Sequence, residues 1–69
     1  MAKVAARSLG NHQVQLGFSD VPAGATITVY DKADSQTPIA TLKTETGGDL
    51  ATAPLGFDKQ PTLLYYRTQ

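Results

Sequence analysis

The sequence predicts an all-β domain, a small antiparallel β-sandwich of about six strands, with a small barrel as the alternative. Three observations predict it. Several short segments alternate large apolar and polar residues, which is the period of a half-buried strand. Gly, Pro and Asn separate these segments at intervals of roughly 8–12 residues. No segment carries the i, i+3, i+4 spacing that an amphipathic helix requires.

Three strands are predicted in the first half of the chain, over residues 2–9, 12–18 and 25–31. A turn at residues 9–11 separates the first two, and a loop at 19–24 separates the second from the third. In the third strand Tyr30 is predicted to face outward with the threonines. The residues predicted to face inward from the second and third strands are Val14, Leu16, Phe18, Ala25, Ile27 and Val29.

The second half of the chain predicts three further strands, over residues 39–45, 50–53 and 62–68. Gly47 and Gly48 are predicted to form the tight turn of a hairpin between the first two, because glycine adopts positive φ without strain. Residues 55–61 are predicted to be a loop. We expect six residues to form the core: Val14, Leu16, Ile27, Val29, Leu42 and Leu50.

Length and composition indicate one domain over residues 1–69 and exclude several classes of protein. The chain has no Cys and one His, so it offers neither a disulfide framework nor the ligands of a zinc or iron–sulfur site. Six basic residues balance six acidic residues, which argues against a nucleic-acid partner. Neither a secretory signal nor a membrane-spanning apolar stretch is present, so we expect no membrane partner.

The polar residues give no catalytic or metal-binding constellation, so we expect no enzyme activity and no cofactor. His12 follows a Gly-Asn turn without a nucleophile or acidic partner in its motif. Asp31 and Asp34 lack the alternating ligands of a calcium loop. Glu45 and Asp49 flank the predicted Gly-Gly turn and are interpreted as solvated turn carboxylates.

The last predicted strand is the strongest candidate for a binding surface. It carries Leu-Leu-Tyr-Tyr-Arg, so large apolar residues point to both of its faces. Terminal edge strands with few charged residues also favour pairing with another chain. The candidate interface residues are Leu63, Tyr65, Tyr66 and Arg67, together with Phe57 in the preceding loop.

Residues 21–31 (VPAGATITVYD) and 37–50 (TPIATLKTETGGDL) resemble small immunoglobulin-like β-sandwich modules of the bacterial and phage type. The resemblance covers about half the chain and implies the sandwich fold. A small, neutral β-domain without a signal, metal ligands or a catalytic set is typical of a component of a larger particle, and the resemblance supports this interpretation. We therefore expect a non-enzymatic structural protein, a capsid decoration or tail-associated component of a phage virion, assembled in the host cytoplasm. Its partner would be a capsid or tail protein, and it would be present as a homo-oligomer or in multiple copies. The alternative is an immunoglobulin-like module that binds carbohydrate or peptide, with Phe57 as a contact.

Overall fold

A computed structural model describes residues 3–69, and it confirms the all-β prediction. No helix occurs in that range, and the strands form two antiparallel sheets consistent with a small sandwich. The described residues form seven strands: β1 (Lys3–Gly10), β2 (Gln13–Val21), β3 (Thr26–Tyr30), β4 (Ala40–Lys43), β5 (Gly48–Ala51), β6 (Leu55–Gly56) and β7 (Tyr65–Thr68).

The first sheet is built around β2, the longest strand. β1 pairs with one edge of β2, while β5 and the two-residue β6 pair with successive parts of its other edge. Asn11 and His12 join β1 to β2 with φ angles of 54° and 61°. Two successive positive φ angles are typical of a type I′ turn, whose twist matches that of the strands it connects.

The second sheet has the order β4-β3-β7, with β3 in the centre. The pairing of β3 with β7 continues one residue past the end of β7. There Thr26 and Gln69 exchange two backbone hydrogen bonds of 2.9 Å each. The C-terminal strand is therefore held along its whole length by β3.

The core lies between β2 and β3, as the alternation of apolar residues predicts. Val14, Leu16 and Phe18 of β2 are buried, and Ile27 and Val29 of β3 are completely inaccessible to solvent. Burying a side chain of this size stabilises the fold by roughly 1.5–3 kcal/mol. Two other predicted core residues, Leu42 and Leu50, are only half-buried and pack at its margin.

Three sequence-based boundaries were wrong. β2 continues through Val21 instead of ending at Phe18, because Asp20 takes a φ of 57° at a bulge that returns Val21 to the core. The predicted loop 55–61 begins with strand β6, and the last strand begins at Tyr65. β6 and β7 have only two and four residues, so the alternation of apolar and polar residues cannot show where they begin. Tyr30 faces outward as predicted, but it is buried because the Arg67 side chain covers its ring.

The predicted Gly-Gly hairpin was also wrong. β4 pairs with β3 and β5 pairs with β2, so the connection through Gly47 and Gly48 crosses from one sheet to the other. Both glycines do have positive φ angles, of 78° and 102°. An ideal Cβ on Gly47 would lie 2.5 Å from the Val21 carbonyl oxygen. The glycine therefore permits close packing against the β2–β3 loop.

Candidate protein-interaction groove

One side of the sandwich is open because β1 has no strand opposite it among the described residues. The rings of Phe18 in β2 and Tyr66 in β7 pack edge to face with centroids 5.3 Å apart, so β7 lies across from β2. β1 lies beyond it. Val4 of β1 is paired with Phe18 and shares its face, yet Val4 is 41% exposed and Phe18 only 2%.

The uncovered inner face of β1 forms one wall of a groove with a volume of about 410 Å³, which we call the edge groove. Segment 60–66, which leads into β7, forms the opposite wall, and β2 forms the floor. None of the described lining residues carries a charge. They are Val4, Ala6, Ser8, Val14, Leu16, Gln60, Pro61, Thr62, Leu63, Leu64, Tyr65 and Tyr66.

Exposed large hydrophobic residues are concentrated at the edge groove, although the alternation along β7 places the Tyr65 side chain on the same face as that of Arg67. Five large hydrophobic residues of the described chain are exposed, and four of them line it: Val4, Leu63, Tyr65 and Tyr66. The fifth, Ile39, lies elsewhere. Single exposed hydrophobic residues are normal, whereas a contiguous group is typical of a binding surface.

The backbone of β7 also has free hydrogen-bonding groups at this side of the sandwich. Thr26 and Gln69 form a hydrogen-bonded pair, and such pairs alternate along an antiparallel ladder. Arg67, opposite Thr28, is therefore the next hydrogen-bonded residue. Tyr66 and Thr68 consequently direct their N–H and C=O groups away from β3, where no described strand pairs with them.

The structure brings together three of the five residues proposed as an interface from the sequence. Leu63, Tyr65 and Tyr66 line the edge groove. Arg67 lies on the other face of β7, where its guanidinium carbon is 4.7 Å from the centre of the Tyr30 ring. Phe57 is half-buried against the core and lines a separate, more open trough.

Sequence reasoning missed the wall that β1 contributes. Its inner residues are Val4, Ala6 and Ser8, which sit opposite the buried Phe18, Leu16 and Val14 of β2. Small side chains give little apolar alternation, so the sequence carries no clear signal that this face is uncovered. Only the pairing register identifies it.

The charged residues near the edge groove are mostly basic and lie on the outer faces of its two framing strands. Lys3 and Arg7 belong to β1, and Arg67 belongs to β7. Asp20 lies 3.9 Å from Lys3, but both side chains are largely exposed and the pair contributes little. The Arg7 guanidinium donates a 3.3 Å hydrogen bond to Gln15. The interior of the groove is thus uncharged, and the charged side chains of its two framing strands are all basic and lie on the opposite faces of those strands.

The other polar candidates lie apart from the edge groove. His12 is exposed in the β1–β2 turn, and its carbonyl accepts a hydrogen bond from the Phe57 amide. Asp31, Asp34, Glu45 and Asp49 are also exposed. Across residues 3–69, no group of three or more His, Asp or Glu side chains could hold a metal ion. Within the same range, no helix is long and apolar enough to cross a membrane.

Comparison of the chain with protein-family models, with curated proteins and with solved structures gave no match.

Proposed function

We propose that this protein is a non-enzymatic interaction module that attaches to a larger protein assembly through the edge groove. The observation that carries the proposal is that four of the five large hydrophobic residues exposed within residues 3–69 line that one groove. Water contact with such a patch is unfavourable, and covering it with a partner removes that cost. The tyrosines suit this role, because tyrosine is enriched at protein interfaces.

The assembly that we propose is a phage virion, with the protein as a multi-copy capsid decoration or tail-associated component. Two features support this choice. The protein is a small β-domain with a net charge of zero, and residues 21–31 and 37–50 resemble immunoglobulin-like modules of phages and bacteria. The edge groove gives each 7.3 kDa copy an attachment surface. A symmetric particle repeats the same attachment site, so many copies could attach to it independently.

The test is to quantify the protein in purified virions of the phage that encodes it, by mass spectrometry. We expect the wild-type protein to sediment with the particles. Leu63→Ser, which removes the most exposed apolar side chain of the edge groove, should reduce its copy number several-fold. Ile39→Ser is the matched control, because Ile39 is exposed but lies outside the groove.

Two results would contradict the proposal. If the wild-type protein is absent from the particles, the virion assignment is wrong. If the Leu63 and Ile39 variants sediment equally with the particles, attachment does not use the edge groove. A melting temperature near that of wild type must accompany each variant, so that loss of attachment is not loss of fold.

A ligand-binding module is the second candidate, and the open trough beside Phe57 favours it. Asp31, Ile39, Asp58 and Lys59 line this trough with Phe57, which gives one aromatic surface next to charged groups. Such a combination could hold a carbohydrate or a peptide. Under this alternative, Phe57→Leu would abolish ligand binding measured by calorimetry, while Leu63→Ser would leave it unchanged.

A further inference from the structure

The edge groove occupies the position that one more strand of the second sheet would fill. The first sheet extends past β7 with β1, whereas the second sheet ends at β7. Neighbouring strands lie about 4.8 Å apart and packed sheets about 10 Å apart. A strand added to the free edge of β7 would therefore lie opposite β1 and cover Val4, Ala6 and Ser8.

From this geometry, and building on the proposed function, we infer that the edge groove binds an extended segment of a partner protein as a fourth strand of the second sheet. The segment would pair with the backbone groups of Tyr66 and Thr68 at the free edge of β7. Backbone pairing of this kind supplies affinity, and alternate side chains supply specificity.

The walls of the groove specify the side chains that point inward from the bound segment. Ala6 and Ser8 are small, and Val4 is half uncovered, so the space opposite them accepts large apolar side chains. The described lining residues carry no charge, so a charged side chain buried there would be left without a partner. Every second residue of the segment should therefore be large and apolar.

The outward-pointing residues of the segment would lie beside Arg67. Adjacent strands place side chains of the same face about 4.5–5.5 Å apart, and opposite charges at that spacing are favourable. An acidic residue at this position would complement the guanidinium. A segment of about five residues, matching the length of β7 and its continuation to Gln69, would alternate apolar and acidic or polar residues.

The same charges disfavour a second copy of this chain as the occupant. The edge strands of a second copy are β1, β4 and β7, which carry only basic charged residues, and β5 with β6 at the other edge of β2. Pairing β1, β4 or β7 with the free edge of β7 would bring a basic residue close to Arg67. β5 carries the acidic Asp49, but its four residues are fewer than the five that the groove accommodates. Like charges on neighbouring strands destabilise a sheet, so we assign the groove to a different, acidic chain.

The experiment is a selection of binders from a random nine-residue peptide library, followed by hydrogen exchange of the complex by NMR. We expect the enriched peptides to alternate apolar and acidic residues. When an enriched peptide binds, the amides of Tyr66 and Thr68 should become protected by about tenfold or more, as new ladder hydrogen bonds form.

A pair of variants at adjacent positions of β1 tests the location. Ala6→Gln places a larger side chain in the groove and should weaken binding of the selected peptide by about tenfold or more, because it occupies the space of an inward apolar residue. Ala5→Gln, on the opposite face of the same strand, should change it by less than about twofold. Both alanines are exposed, so neither change disturbs the core.

A second variant tests the charge. When the library is selected for binding to the Arg67→Gln variant, the enriched peptides should keep the apolar alternation but lose the preference for acidic residues. Selection for binding to the Arg67→Lys variant should keep the acidic preference. The melting temperature of each variant serves as the control for folding.

Three outcomes would overturn the inference. In the first, the library shows no enrichment. In the second, a bound peptide leaves the amides of Tyr66 and Thr68 unprotected. In the third, light scattering shows that the chain dimerises and that the Ala6→Gln variant is a monomer, so a second copy occupies the groove. None of these decides the proposed function, which depends on the virion measurement with Leu63→Ser. Attachment sensitive to Leu63 without strand addition would mean that the groove binds a folded surface.

Discussion

The guanidinium group of Arg67 lies over the ring of Tyr30, with its central carbon 4.7 Å from the ring centroid. Tyr30 belongs to the central strand β3, and Arg67 belongs to the edge strand β7. The contact accounts for a tyrosine that is only 8% exposed although it ends a strand whose threonines face outward. The contact links the outer faces of β3 and β7. The free edge of β7, on the side away from β3, borders the groove.

We predict that Arg67→Ala lowers the free energy of unfolding by about 1 kcal/mol, through loss of the cation–π contact and of the cover that the side chain gives Tyr30. Arg67→Lys should cost less, because it keeps the charge. Urea denaturation measures the change. Lys43→Ala, an exposed position on the opposite edge strand, is the control, and an equal loss there would contradict a specific role of Arg67.

Much of the core could be predicted because β2 and β3 are long enough to display their period. Val14, Leu16 and Phe18 recur at every second position, and so do Ile27 and Val29, since one face of each strand meets the other sheet. The alternation fixes which side chains point inward. It holds no information on which strands become neighbours.

The sheet to which each strand belongs was therefore the part that sequence reasoning could not supply. Gly47 and Gly48 have the backbone freedom of a hairpin turn, yet they connect strands of different sheets. Half of the candidate site was missed for a related reason. The exposed Leu63 and Tyr66 are visible in the sequence, but Ala6 is significant only because no described strand covers β1.

Truncation of Ile27 should be close to the largest single loss that the domain can sustain. Its side chain is completely buried at the centre of the sandwich, so Ile27→Ala should cost about 2–5 kcal/mol. A core in a domain of this size supplies roughly 3–5 kcal/mol, so much of the variant should be unfolded at room temperature. Circular dichroism during thermal unfolding measures the effect.

Leu42→Ala is the matched truncation for that comparison. Leu42 lies opposite Ile27 on β4 but is only half-buried, so the variant should lose distinctly less stability. Equal melting temperatures of the two variants would contradict the deeper burial of Ile27 relative to Leu42.

Just after β5, the side-chain hydroxyl of Thr52 accepts a hydrogen bond from β2 in place of a backbone carbonyl. Its hydroxyl accepts a 3.1 Å hydrogen bond from the Leu16 amide, and its own amide donates to the Leu16 carbonyl at 2.9 Å. Its carbonyl is used by Gln15 instead. Thr52→Val keeps the shape but leaves the Leu16 N–H without that acceptor in a buried place, which should cost about 1–3 kcal/mol.

The variant Thr52→Ser separates the hydrogen bond from the packing. Serine retains the hydroxyl and loses only a methyl group, so we expect it to be more stable than Thr52→Val in chemical denaturation. The reverse order would show that the methyl group, and not the acceptor, makes position 52 important.

Gly47 should be the least replaceable glycine of the described chain. A Cβ there would lie 2.5 Å from the Val21 carbonyl oxygen and 2.9 Å from the Ala23 nitrogen, and the φ of 78° is strained for any other residue. Gly24 has a similar φ of 81° with open space around it. Gly24→Ala should therefore cost only the conformational term, about 1–2 kcal/mol, and Gly47→Ala clearly more. Equal melting temperatures would mean that the β2–β3 loop moves aside freely.

Hydrogen exchange of the free protein should reveal the open edge of β7 directly. Arg67 donates its amide within the β3–β7 ladder, whereas the amides of Tyr66 and Thr68 point to the free edge. We expect Tyr66 and Thr68 to exchange at least about tenfold faster than Arg67, although all three belong to one strand. NMR at several protein concentrations makes the measurement decisive. Slow exchange at Tyr66 that becomes faster on dilution would mean that a second copy covers this edge, and slow exchange at every concentration would mean that the edge is closed within the monomer.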